Sequence, residues 1–413
     1  MNVKNYTFRD STLDSTPLKL INGAGNLLQY IGIDTHALQV EKIIDQAISR
    51  AKFDDFGSDS FLEPLELYLD SVNCEADLNT FGRIAIREML VRSLASRLRL
   101  TAWNKEHPEA SDEVISKPWI IVGLPRTGTS LLSILLGLNP MGRPLLHWET
   151  ANPIPPPDMA TAAEDPRIIE CDKELKQMLA INPALKAMHP FGATLAQECT
   201  SLFMYDVRTT GLESQAYTPS FGKWLLNADM TPAYRIHKQI LQALQSTQPT
   251  EQWVLKSPNH LWCLQELLTA YPDARIIWTH RKPADVVTSM ASLANALQWP
   301  KSKRRDPRPV ADDWNFKLHS VINKAMAFDR DRKEEWCYHL RYEDLMTNPE
   351  GAIKKIFQHF DLSVSELHQR RMCKWLEYRP KNSFGKHHYE ASDFGWTPEQ
   401  LEEQYSDYSS GYC

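Results

Sequence analysis

Residues 119–136 read Trp119-Ile-Ile-Val-Gly-Leu-Pro-Arg-Thr-Gly-Thr-Ser-Leu-Leu-Ser-Ile-Leu-Leu136. An apolar run closed by glycine, a short loop and a second apolar run predict a buried strand, a tight turn and a helix. The turn nearly matches the triphosphate-binding loop Gly-x-x-x-x-Gly-Lys-Ser/Thr, whose amides cradle phosphates and whose lysine reaches the terminal ones. Gly123, Gly128 and Ser130 fall in register, but Thr129 stands where the lysine belongs, and the nearest cation, Arg126, precedes the second glycine. A helix N-terminus still holds an anion, because its first amides lack intrahelical partners and the dipole is positive there. The loop therefore predicts a phosphate site for a phosphate ester other than a nucleoside triphosphate.

On either side of this segment the chain changes character. Residues 1–115 read as a helical N-terminal region. In Thr80–Leu98, Ile86, Leu90, Leu94 and Leu98 recur every fourth residue, with Arg92 and Arg99 on the opposite side. Arg87 and Arg97 fall near the apolar face and break the pattern. This region packs on the main domain, or covers an apolar acceptor pocket. From residue 116 onwards short apolar runs alternate with helical patterns: the candidate strands are Trp119–Leu124, Trp253–Lys256, Ala274–His280 and Cys337–Tyr342. Such alternation predicts an α/β fold, a short parallel sheet with helices on both faces. The stretch 139–250 reads as a mostly helical insertion, interrupted by the stiff Pro153-Ile-Pro-Pro-Pro157 run. Thr397-Pro-Glu-Gln400 has the residues of an N-cap, a first-turn proline and a capping box, so a last helix starts there.

Composition narrows the function classes. The 413 residues are 42% hydrophobic and 24% charged, values of an ordinary globular chain and too apolar for a disordered one. No run reaches the length of a membrane-spanning helix, and the N-terminus lacks a signal-peptide core, so the expected location is cytoplasmic. A net charge of −6 argues against nonspecific nucleic-acid binding. The seven cysteines are scattered, with no Cys-x-x-Cys pair, and predict buried thiols for most of them rather than a disulfide framework or zinc knuckle.

Ligands of an open α/β sheet bind beyond the carboxyl ends of its strands. The strand in Trp253-Val-Leu-Lys-Ser-Pro-Asn-His260 delivers Lys256 and Ser257 to that edge, near the phosphate loop. The strand ending at His280 delivers Arg281, and the helix from about Pro283 carries Ser289 nearly two turns in. An arginine fork and a serine hydroxyl there can converge on one phosphate. Each residue alone is ordinary; three strand ends offering anion ligands to one edge are not.

These segments together resemble the sulfotransferases that use 3'-phosphoadenosine 5'-phosphosulfate, PAPS. Leu124-Pro-Arg-Thr-Gly-Thr-Ser130 resembles their 5'-phosphosulfate loop, and Arg281 with Ser289 their 3'-phosphate motif. His339-Leu-Arg-Tyr-Glu-Asp-Leu345 resembles their later strand and helix. Leu255-Lys-Ser-Pro-Asn-His-Leu261 and the late Gly385, His387 and Tyr389 are similar to a bacterial branch. The resemblance covers about residues 80–408 and implies transfer of a sulfuryl group to an acceptor hydroxyl, with release of adenosine 3',5'-bisphosphate and no metal. It implies that Arg126, Thr127, Gly128, Thr129 and Ser130 hold the 5'-phosphosulfate. Arg281 and Ser289 would hold the 3'-phosphate, Lys386 would belong to a basic loop over the nucleotide, and Lys256 and Arg126 would relieve charge on the leaving group. The missing lysine then reflects a donor without a triphosphate. The acceptor is expected to be a small or lipid-like alcohol or phenol.

The acceptor's proton needs a base. One branch of the family places a histidine two residues after the strand lysine, where this chain has Pro258. Other branches use a glutamate downstream of the phosphate loop, and Glu149, in Leu145-Leu-His-Trp-Glu-Thr150, is the first choice; His147, His260 and Glu198 are its rivals. Two other readings stay open: a nucleotide-dependent kinase, opposed by Thr129 at the lysine position, and a noncatalytic nucleotide-binding protein.

Overall fold

A computed structural model of the chain describes residues 5–30, 38–332, 335–378 and 386–413. At its centre five parallel strands lie in the order β3-β4-β2-β5-β6, where β2 is Trp119–Gly123, β3 Gly142–Pro144, β4 Gln252–Lys256, β5 Arg275–His280 and β6 Cys337–Arg341. The four strands expected from sequence are all present. The short edge strand β3 lies at the start of the insertion and is an addition to that reading. In register, Ile121 faces Lys256 and Gly123 faces Thr279, so β2, β4 and β5 end close together and deliver their following residues to one edge.

Side chains alternate across a strand, and here both faces are covered. Trp119, Ile121, Val254 and Ile277 pack with Leu132, Leu135 and Leu136 of the helix Thr129–Gly137 and with Ile353, Ile356 and Phe357 of the helix Pro349–His359. Ile120, Val122, Leu255, Ile276 and Trp278 face the opposite way, into the larger cluster that includes Val286 and Val287 of the helix Pro283–Gln298. Full burial of each such side chain contributes about 1.5–3 kcal/mol, so the sheet's position is fixed from two sides.

The N-terminal region is helical, as expected, with Val40–Ala51, Leu62–Glu75 and Thr80–Glu106 as its main helices. Arg97, the residue that broke the apolar stripe, is fully buried. Its Nη1 lies 2.5 Å from Asp206 Oδ1, and it donates to the carbonyls of Phe56 and Ser58, each at 2.9 Å. A buried guanidinium survives only when so paired and hydrogen-bonded, and this one locks the N-terminal helices to the insertion. A helix, Pro398–Gln404, begins where expected, with reciprocal Thr397 and Gln400 capping bonds, but it is not the last, because Ser406–Tyr412 follows it. A second, two-stranded parallel sheet pairs β1 (Asn5–Thr7) with β7 (Lys386–His388), bringing the first described residues beside the late His387. Among the described residues no helix is long and apolar enough to cross a membrane.

Candidate active site

The loop after β2 takes its shape from three positive-φ residues. Gly123 has φ +144°, and a Cβ there would lie 2.7 Å from the carbonyl oxygen of Thr279 on the next strand. Arg126 adopts φ +69°, unusual for a residue with a side chain, and Gly128 φ +86°. Gly128 is the N-cap of the helix Thr129–Gly137, and no side chain caps that end. Thr127 is buried; its hydroxyl donates to Leu124 O at 2.7 Å and lies 2.6 Å from the Thr279 hydroxyl. The Thr127 side chain thus braces the loop, leaving backbone amides and Ser130 to face an anion.

Lys256 ends β4 with a buried side chain whose Nζ lies 3.3 Å from Ser130 Oγ and 3.1 Å from Glu198 Oε1. Burial alone would raise the Glu198 carboxyl; the Lys256 ammonium, with hydrogen bonds from Lys256 and Thr200, holds it below the usual range instead. On the other side of the loop, Arg126 Nε donates to Ser289 Oγ at 3.0 Å. Arg281 Nη1 donates to the Arg126 carbonyl at 3.0 Å, its guanidinium lies 4.4 Å from the centre of the Tyr342 ring, and its Nε is buried with no partner. Burial pushes Arg126 below its usual value and Arg281 pushes the same way. Two close guanidiniums with an unused donor are poised for an anion. They line a cavity of about 270 Å³ together with Ser289, Tyr342 and the β7 residues His387 and His388.

A larger cavity, about 510 Å³, opens over the same loop. Arg126, Gly128, Thr129, Ser130 and Arg281 line it, and so do Met204, Trp262, Met290, Leu293, Trp314 and Leu318. An anion cradle and an extensive apolar wall therefore share one space. Glu198, His189 and Tyr342 add titratable groups to it. Burial and the neighbouring Lys256 charge bring His189 down to about 4, so it is neutral at physiological pH.

The structure brings together Arg126, Gly128, Thr129, Ser130, Lys256, Arg281 and Ser289. It sets Glu149 elsewhere: that carboxylate is buried, 2.7 Å from Arg143 Nη2, accepts the Leu146 N–H at 3.0 Å, and does not line the cavity. His260 is also buried away from it, 2.7 Å from the Tyr234 hydroxyl, and His147 lines a different cavity. Of the four proposed bases only Glu198 faces the cavity and touches Lys256. Lys386 opens β7, but its side chain, like Arg379 and Lys381, lies outside the described residues. None of the described residues of 1–115 lines the large cavity. Sequence reasoning gave no role to His189 or Tyr342: His189 sits in no pattern that distinguishes it, Tyr342 lies in the His339–Leu345 stretch without a role of its own, and only the fold places them at the loop.

The chain is similar to known sulfotransferases. The chain is 28% identical to omega-hydroxy-beta-dihydromenaquinone-9 sulfotransferase Stf3 of Mycobacterium bovis and of Mycobacterium tuberculosis over 124 residues, 30% of this chain. That match spans 32%, about a third, of the length of those relatives. Sulfotransferase STF9 from Mycobacterium avium has a similar structure, with a TM-score of 0.83 and 28% identity over 92% of this chain and 97% of its own. Sulfotransferase STF1 from Mycobacterium tuberculosis gives 0.80 and 29% over 89% and 98%. The sequence profile of the sulfotransferase family matches residues 118–366, which hold the anion loop, Lys256, Arg281 and Ser289; the chain belongs to the sulfotransferase family.

Proposed function

We propose that this protein transfers a sulfuryl group from PAPS to the hydroxyl of a lipid-like alcohol or phenol, releasing adenosine 3',5'-bisphosphate. The observation that carries the reading is the contact of Lys256 with both Ser130 and Glu198, at the place where an uncapped helix N-terminus meets an apolar cavity. The two cationic groupings suit a donor with phosphates at both ends: the loop amides and Ser130 for the 5'-phosphosulfate, Arg126, Arg281 and Ser289 for the 3'-phosphate. The orphaned Arg281 Nε is a donor such a phosphate would satisfy. The Met, Leu and Trp wall supports an apolar acceptor, and the menaquinone-type substrate in the name of the Stf3 relatives is of that class.

In this reading Glu198 takes the acceptor's hydroxyl proton as that oxygen bonds to sulfur. The bond from sulfur to the bridging oxygen breaks, and its electron pair remains on the 5'-phosphate, where Lys256 and the helix amides meet the growing charge. Lys256 rests on Glu198 before the donor arrives; moving toward the bridging oxygen, it frees the carboxylate to act as base. Holding both reactants in one cavity supplies the orientation term.

A test combines calorimetry with transfer of radiolabelled sulfate from PAPS to long-chain alcohols and phenols. Binding of adenosine 3',5'-bisphosphate without magnesium, with label in an apolar product, is expected. Binding only of ATP with magnesium would overturn the reading in favour of a kinase, and nucleotide binding with no transfer to any acceptor would leave a noncatalytic protein.

A further inference from the structure

Behind the cavity, three side chains that the sulfuryl-transfer reading does not use converge in the core. Cys199 precedes the short helix Thr200–Phe203, His237 lies in the helix Thr231–Thr247, and His260 lies in the turn after β4. All three are fully buried, and one ligand atom from each lies within 4.8 Å of the other two. A tetrahedral zinc ion sets its nitrogen and sulfur ligands roughly 3.3–3.6 Å apart, so the ligand atoms must close by up to about 1.5 Å to reach bonding geometry. Each imidazole is already oriented from its far side: His237 Nδ1 lies 2.6 Å from the Tyr271 hydroxyl and His260 Nδ1 2.7 Å from the Tyr234 hydroxyl. Both Nε2 atoms are left buried without a hydrogen-bond partner. Metal-bound histidines have this arrangement, the outer nitrogen giving its proton to an oxygen while the inner lone pair faces the ion. Phe203 packs on both rings, with centroids 5.4 and 5.7 Å away.

We infer that Cys199, His237 and His260 bind a zinc ion in the core behind the active site. Two imidazoles and a thiolate match the preference of zinc for nitrogen and sulfur donors, and water would complete the tetrahedron. Binding displaces the Cys199 thiol proton: the sulfur–hydrogen bond is exchanged for a sulfur–zinc bond and one proton leaves. The centre would tie the insertion to β4 directly beneath the catalytic pair, since Cys199 follows Glu198 and its N–H donates to the Lys256 carbonyl at 2.9 Å.

Elemental analysis of the gel-filtered full chain, grown with zinc, is expected to give one zinc per chain, lost in Cys199→Ala and His237→Ala. Because either variant can misfold, the wild-type chain is also stripped with a chelator and refilled with cobalt(II). A thiolate-to-cobalt charge-transfer band and intense tetrahedral absorption are expected, with release of one proton per ion. Absence of stoichiometric zinc together with absence of that band would overturn the site. Zinc retained in both folded variants, or copper found in its place, would overturn this assignment of ligands or ion.

Discussion

Glu198 and Glu149 differ in what surrounds them, which the sequence around each does not reveal. Glu149 lies downstream of the loop at a spacing that suits a base, yet it spends both oxygens on Arg143 and the Leu146 amide. Glu198 has no motif of its own; it reaches the site because its neighbour Cys199 bonds to the end of β4. Glu198→Gln is expected to lower kcat/KM by about 10²–10⁴-fold, the usual contribution of a positioned base. Glu149→Gln is expected to retain kcat within about tenfold while losing stability, since it weakens a buried pair. Sulfate-transfer kinetics and denaturant curves on both variants decide this, and a catalytic loss confined to Glu149→Gln would return the role to it. A pH profile adds an independent check. The base acts ionised, and Lys256 holds its pKa below the usual carboxylate range against the upward push of burial. The acid limb of kcat/KM is therefore expected below that range in the wild type. It should move upward in the residual activity of Lys256→Ala, where burial acts unopposed; an unmoved limb would separate the titrating group from Lys256.

At the scale of elements, the strands and the anion loop were legible because their signal is local. Buried parallel strands read as continuous apolar runs, and a glycine-bounded loop before a helix has few conformations open to it. Contacts that depend on distant partners were not legible. Arg97 looked like an error in an apolar stripe until Asp206, in another region of the chain, supplied its counter-charge. The basic run Lys301-Ser-Lys-Arg-Arg305 is likewise held by distant partners: Arg304 donates to the Glu75 carbonyl at 3.0 Å and Asn79 N–H to the Lys301 carbonyl at 2.9 Å. β3 is too short, and too rich in glycine and proline, to announce itself. The loop's dependence on close approach makes a specific prediction. In Gly123→Ala the new methyl meets the Thr279 carbonyl in a backbone conformation that alanine rarely adopts. The expected loss is about 3 kcal/mol, the upper end of the range for one strained residue, with nucleotide affinity falling alongside. Urea unfolding with calorimetry measures both, and a loss under about 0.5 kcal/mol, the size of an ordinary surface substitution, would show that β2 and β5 can separate to admit the methyl.

For the molecule as a whole, the acceptor cavity depends on helices far apart in sequence being held together by buried charge. Lys317 lies in the helix Arg308–Asp331, which contributes Trp314 and Leu318 to the cavity wall, and it is fully buried. It pairs with Asp313 at 2.5 Å and with Glu213, which ends the short helix that lends Thr210 and Gly211 to the same wall. Gln298, at the end of the helix that carries Ser289, donates to the Glu213 carbonyl at 2.7 Å. Three parts of the site thus meet at Glu213. Two carboxylates share the single Lys317 cation in the core. Burial pushes Glu213 up to about 7 and raises Asp313, while the carboxylates hold Lys317 above its usual value despite burial. Because Glu213 binds its proton more tightly folded than unfolded, its contribution to stability declines as pH rises from the usual carboxylate range through about 7. Lys317→Met removes the cation and strands both carboxylates, so a loss of about 3–5 kcal/mol is expected near pH 8. Near pH 5 the loss should be smaller, because both groups can then be buried as neutral acids. Denaturant unfolding of wild type and variant at the two pH values measures the difference, and an equal loss at both would mean that Lys317 acts through packing rather than charge.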